Sequence, residues 1–174
     1  MKLIKLIEPN IEYADEIMAF RGELLGLNES FAGCNGLQNS QTCEEWLEYF
    51  RKMSSEKTCP SGLVPSDTFI YVREDDKCVV GMIDIRRHIN NSVLSTWGGH
   101  IGYNVRPSER QKGYGKKMLR EALRFCKEKG HTNVLITCNS NNYASERTIL
   151  ANSGKLENEI CADGRIIKRY WITL

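Results

Sequence analysis

The chain has 174 residues, a length that one domain can fill, with 41% apolar and 26% charged residues, values ordinary for a globular fold. Its 24 basic and 22 acidic residues leave a net charge of +2, which gives no ground for a nucleic-acid partner. No run approaches the ~18 apolar residues of a membrane span, and Glu8, Pro9 and Glu12 interrupt the amino terminus before a secretory signal could form, so a cytoplasmic location without a membrane partner is expected.

Read in order, Lys2–Ile7 is expected to be a strand, and Ile11–Leu25 a helix with Ile11, Ala14, Ile17, Met18 and Leu25 at helical spacing. A Gly- and Asn-rich loop over 26–41 leads to a helix over Thr42–Lys52, opened by Thr42 and Glu45 as a capping box. After a Pro- and Gly-containing loop the period becomes two. Thr68–Arg73 and Cys78–His88 form a hairpin, and a further strand region after Asn90-Asn91-Ser92 ends at Val105. Met118, Leu119, Ala122, Leu123 and Cys126 line one face of the next helix, which Gly130 ends. Asn133–Cys138 reads as a strand and Ala144–Asn152 as a helix. Lys155–Cys161 and Ile166–Thr173 form a final hairpin around Asp163-Gly164. One strand–helix–strand unit inside an otherwise antiparallel set predicts an α/β (mixed α+β) domain over 1–174, with a central, mostly antiparallel mixed sheet flanked by helices.

Seven cysteines, with no C-x-x-C pair, suggest neither a disulfide framework nor a metal site. Chemistry concentrates in Val105–Lys117, where a strand ends, a polar turn follows and Gly113 and Gly115 open a helix. A helix start leaves N–H groups unpaired, and glycines let a phosphate lie directly on them. Arg110, Lys112, Lys116 and Lys117 add positive charge. As bare spacing this is equally an ordinary helix start with solvated lysines. It is neither a P-loop nor a dinucleotide fingerprint.

Arg110-x-x-Gly113-x-Gly115 resembles the acetyl-CoA signature of the GNAT superfamily of N-acetyltransferases. The run from Asn142 to Gly154 resembles that family's Asn-started helix, and the element order is similar throughout. The resemblance implies acetyl-CoA as co-substrate and a primary amine as acceptor, with a homodimer allowed and no metal. It implies that Tyr103 and Val105 offer backbone groups to the pantetheine arm. Arg110, Gln111, Lys112, Gly113, Tyr114, Gly115 and Lys116 would then hold the pyrophosphate, with Asn142 beside the cofactor. Acceptor choice would lie in residues 20–67.

The sequence departs from the family at Ile149, where many relatives carry a proton-donating tyrosine; Tyr143 is the nearest phenol in sequence. Two groups are candidate catalysts. His100 shares a strand face with Gly102 and Asn104 and titrates near neutrality. Asp84 interrupts an apolar strand and could bind a cationic acceptor or pair with Arg86 or Arg87. The expected activity is direct attack of an amine on acetyl-CoA in a ternary complex; the alternative is an acyl-CoA-binding module without turnover.

Overall fold

The structure is a computed structural model and describes residues 3–174. Strand β1 covers Ile4–Ile7, shorter than expected, and Lys2 lies outside the described residues. A single 3₁₀ turn, Ile11–Tyr13, precedes helix α1 (Ala14–Gly26), and α2 spans Cys43–Met53. The Thr42 hydroxyl accepts the Glu45 N–H at 3.2 Å, whereas the Glu45 carboxylate reaches back to the Gln41 N–H at 2.7 Å, one residue before the position an ideal capping box uses.

Strands β2 (Ser66–Arg73), β3 (Cys78–Arg86) and β4 (Ile101–Val105) complete a four-stranded sheet in the order β1-β2-β3-β4. Strand β4 is shorter than the sequence pattern suggests. Residues 94–98 instead form a wide helical turn, closed by the Gly99 N–H on the Leu94 carbonyl at 2.7 Å. Helix α3 (Tyr114–Glu128), strand β5 (Asn133–Asn139), helix α4 (Tyr143–Leu150), and strands β6 (Lys155–Ala162) and β7 (Arg165–Thr173) follow. Gly130, at φ +89°, ends α3 in a Schellman motif: its N–H bonds the Lys127 carbonyl and the His131 N–H bonds that of Cys126, each at 3.0 Å.

The one mixed sheet expected from the sequence is divided in two. β5, β7 and β6 form a separate three-stranded sheet in that order, and every strand pair in both sheets is antiparallel. Strands β4 and β5 share no ladder among the described residues. They meet at one point, where the His100 N–H bonds the Leu135 carbonyl at 2.8 Å. The result is a mixed α/β fold with antiparallel sheets flanked by helices.

Strand β3 is buried on both faces, which explains its nearly unbroken apolar run. Ile83 and Ile85 pack with Met118 and Leu119 of α3, while Met82 packs with Phe20, Leu24 and Trp46 of α1 and α2. No helix among the described residues is long and apolar enough to cross a membrane.

Candidate active site

Where β4 and β5 part, a cavity of about 700 Å³ opens. Its walls are Ile101–Val105, Thr137–Asn139, the first turn of α3, the side of α4 bearing Asn142, Ser145 and Thr148, and Glu29–Ala32 from the loop after α1. Hydrogen-bond alternation sets what β4 presents. The His100 carbonyl and the Arg106 N–H bond to β3 (2.8 and 2.9 Å), so the intervening odd-numbered residues turn their backbone groups away from β3. Ile101, Tyr103 and Val105 thus direct N–H and C=O groups into the opening.

At the outer end, Pro107–Glu109 makes a short 3₁₀ turn, and Gln111 and Gly113 take φ values of +64° and +80°. This winding leaves the N–H groups of Gln111 through Lys116 without a hydrogen-bond partner among the described residues. They form a concave array of donors at a helix N-terminus, the arrangement that binds phosphate. A Cβ at Gly113, itself on the cavity wall, would meet nothing within 4 Å, so the side-chain direction there is open. Gly115 is closer to its surroundings: a Cβ there would stand 3.4 Å from a Val105 methyl.

Three arginines hold this turn. Arg106 binds Glu23 and Glu16 of α1 at 2.6 Å each, and Glu23 also accepts the Ser108 N–H at 3.0 Å. Arg73 bonds Glu109 at 2.7 and 3.2 Å, the Tyr114 hydroxyl at 3.0 Å and Asp76 at 2.7 Å. Arg110 grips Glu29 with two nitrogens at 2.7 and 3.1 Å and donates through Nε to the Val105 carbonyl at 3.1 Å. Hydrogen bonds from Arg110 therefore hold the Glu29 carboxyl below its ordinary range.

Of the ten residues expected to hold a cofactor, nine line the cavity: Tyr103, Val105, Arg110, Gln111, Gly113, Tyr114, Gly115, Lys116 and Asn142. Lys112 does not. Its ammonium is turned back to Glu109 at 2.9 Å and the Ser108 carbonyl at 3.4 Å, leaving only its backbone in the donor array. Asn142 caps α4 by accepting the Ser145 N–H at 3.1 Å. The Tyr103 hydroxyl stands 2.8 Å from the Ser145 hydroxyl, and burial pushes its phenol up to about 12.

The two residues expected to do proton chemistry lie off the cavity wall. His100 is buried, and its Nδ1 accepts the Leu135 N–H at 2.9 Å, so the neutral ring carries its proton on Nε2. Burial, with His131 and Arg86 nearby, pushes the imidazole down to about 4. In this structure the basic nitrogen is engaged and faces away from the cavity wall, and His100 clips β4 to β5. Asp84 is buried against α1, α2 and their loop, where the Thr68 hydroxyl donates to it at 2.8 Å and Arg86 stands 3.9 Å away. Burial raises its carboxyl above the usual range despite Arg86. It is a core hydrogen-bonding group rather than a base.

Ile149 also reads differently in three dimensions. It is fully buried with Met118 and Leu119, and the turn at Gly154 folds over it, leaving no room for a Cβ. The face of α4 toward the cavity carries Ser145 and Thr148 instead, and Tyr143 is exposed and off the wall. Ser145, Arg147, Thr148 and Arg165, to which sequence reasoning gave no role, also line the wall, as do Glu29 of the 20–67 stretch and Trp97.

A model described as the acetyltransferase (GNAT) family matches residues 32–150, more than half of the chain. The chain belongs to the GNAT family, and with it to the acetyl-CoA-dependent N-acetyltransferases. No curated protein matches the sequence. Among solved structures, an N-acetyltransferase from Staphylococcus aureus Mu50 superposes with a TM-score of 0.68 at 15% identity, over 98% of each chain. The GNAT-family acetyltransferase of Bacillus anthracis gives 0.66 at 13% identity, over 99% of this chain and 96% of that one. Protein yncA from Salmonella typhimurium, solved with acetyl-CoA, gives 0.65 at 12% identity, over 98% and 94%. At such identities the likeness is one of fold.

Proposed function

We propose that the chain, acting as one catalytic domain over 1–174 in the cytoplasm, transfers the acetyl group of acetyl-CoA to a primary amine by direct attack in a ternary complex. The observation that carries this reading is the run of unpartnered N–H groups from Gln111 to Lys116 at the outer end of the opening between β4 and β5. The donors suit a pyrophosphate, and the open space above Gly113 admits it. The inward-turned backbone of Tyr103 and Val105 suits a pantetheine arm laid along β4 as an added strand would be. Asn142 and the Tyr103–Ser145 hydroxyl pair flank that path.

Acetyl-CoA, when bound, supplies an activated acetyl group as a thioester. The backbone N–H groups of β4 would orient and polarise its carbonyl. With His100 and Asp84 both withdrawn from the wall, the amine's proton leaves through water. Positioning then carries most of the acceleration.

Calorimetry and a thiol-release assay with amine acceptors test this together. Wild type binds acetyl-CoA and releases thiol. Gly113→Val, whose added side chain enters the open space over the donors, loses binding by more than about 100-fold, in line with the close backbone approach that glycine permits. Circular dichroism checks that the variant is folded. Unchanged affinity in a folded Gly113→Val protein would refute the site.

A further inference from the structure

Charge on the cavity wall is one-sided. Its charged members are Glu29, Arg110, Lys116, Arg147 and Arg165. Glu29 is the single carboxylate among them, and Arg110 engages both of its oxygens. The wall therefore offers no open anion to a protonated amine. Of the three arginines on the wall, Arg110 is held by Glu29 and the Val105 carbonyl, whereas Arg147 and Arg165 form no hydrogen bond or ion pair among the described residues.

These two wall arginines come from different elements, α4 and β7. Arg147 lies on α4 next to Thr148, whose hydroxyl would stand 3.6 Å from a Cβ at Gly115, so it belongs with the phosphate-binding end. Arg165 begins β7. In that strand Lys168 reaches Glu146 of α4, and Tyr170 and Ile172 enter the core beneath α3. Arg169 points the other way, donating to the Ser95 and Thr96 carbonyls of the wide turn. Strand alternation places Arg165 with Arg169, on the face where the Thr137 hydroxyl meets the Trp97 carbonyl at 2.5 Å.

We infer that the acceptor is an amine carrying its own anionic group, a carboxylate or a phosphate, and that Arg165, on the cavity wall that Trp97 also lines, receives that group. This rests on the reading that acetyl-CoA fills the outer end of the same cavity. A guanidinium presents parallel N–H donors that match either anion. With Arg110 paired to Glu29 and the phosphates of acetyl-CoA beside Lys116 and Arg147, Arg165 is the wall charge left to the acceptor, which an anion on the amine would match and a second cation would not. Arg165 is thus a specificity-determining residue and takes no part in bond making.

The test is a thiol-release screen of α-amino acids, their carboxamides, aminoalkyl phosphates and polyamines, on wild type and Arg165→Ala. Wild type should show kcat/KM at least ten-fold higher for an anionic amine than for its uncharged counterpart. Turnover of the carboxylates or of the phosphates identifies which anion is read. Arg165→Ala should remove that gap mainly through KM, leaving acetyl-CoA affinity by calorimetry within two-fold. Preference for carboxamides or polyamines, no reaction with any anionic amine, or a gap that survives in Arg165→Ala overturns the inference. Failure of wild type to bind acetyl-CoA in calorimetry would overturn the underlying reading instead.

Discussion

The two ends of the cavity are built on opposite rules. At the outer end six consecutive backbone N–H groups, Gln111 to Lys116, have no partner among the described residues, while the side chains behind them are locked by Arg73, Arg106 and Arg110. At the inner end nearly every polar group is spent internally. His100 bonds Leu135 through both its backbone and its ring, Arg86 donates to the Gly98 and Gly99 carbonyls, and Asp84 takes the Thr68 hydroxyl. Unsatisfied donors persist only where a ligand or water can reach them. The outer end is therefore an open row of donors on a braced mount, as the proposed cofactor site requires, and the inner end is a fastening that keeps β4 and β5 joined at one point.

The largest expected effect tests the fastening. The unfolded chain binds a proton on His100 below about 6.5, whereas the folded chain resists until about 4. In that window the unfolded state holds more protons, so stability falls as pH falls, by on the order of 3 kcal/mol from this group by pH 4. His100→Asn, whose Oδ1 can accept the Leu135 N–H without titrating, should lose this share of the pH dependence in urea titrations. Its kcat/KM should keep the wild-type pH profile, which then follows the acceptor amine alone. A flattened kcat/KM profile would make His100 a base and dissolve the contrast between the two ends.

Next comes the mount. Arg106→Met strands the Glu16 and Glu23 carboxylates and leaves the Glu23–Ser108 bonds without the guanidinium that positions Glu23. Removing one partner of a buried ion pair costs several kcal/mol; here about 2–3 is expected, because both glutamates keep roughly a third of their surface in water. Urea unfolding should show that loss, and calorimetry a weaker acetyl-CoA affinity, with Arg106→Lys recovering part of each. An unchanged affinity in a destabilised protein would separate the ion pairs from the cradle.

How much of this was legible in the sequence follows the range of each interaction. The glycine turn, the apolar face of α3, its Gly130 stop and the Asp163-Gly164 hairpin are set by residues close in sequence, and each stands where local pattern puts it. The partners of Arg106 and Arg110, Glu23 and Glu29, lie 83 and 81 residues away. No periodicity encodes such pairs. Ile149 and Lys112 mislead for a related reason. Counting from a motif gives a position along the chain, and the rotation of α4 or the reach of a lysine decides where the side chain goes. The wide turn at 94–98 escaped because its carbonyls are satisfied by Arg86 and Arg169, one from each sheet.

Arg110→Ala has a smaller expected effect. Its guanidinium is committed to Glu29 and the Val105 carbonyl, so it shapes the turn rather than touching a terminal phosphate. Acetyl-CoA and its 3′-dephospho form should weaken together, by about 0.5–1 kcal/mol, the scale of a half-exposed ion pair. Selective loss of the 3′-phosphorylated ligand in calorimetry would instead assign Arg110 a direct contact.

The smallest effect belongs to Lys112, and it tests the contrast most narrowly. Its ammonium is half-exposed on Glu109, a carboxylate already engaged by Arg73, so the pair adds little to stability. Only the Lys112 backbone N–H belongs to the donor array, and alanine preserves it. Lys112→Ala should therefore shift acetyl-CoA affinity by less than about two-fold, or ~0.4 kcal/mol. Lys116→Ala, whose side chain lines the cavity, should cost more at low salt and less at high salt, as a screened cation would. A ten-fold loss in Lys112→Ala with the same salt dependence would mean that its side chain leaves Glu109 for the ligand. The outer end would then bind through mobile cations, and rigidity would no longer distinguish it.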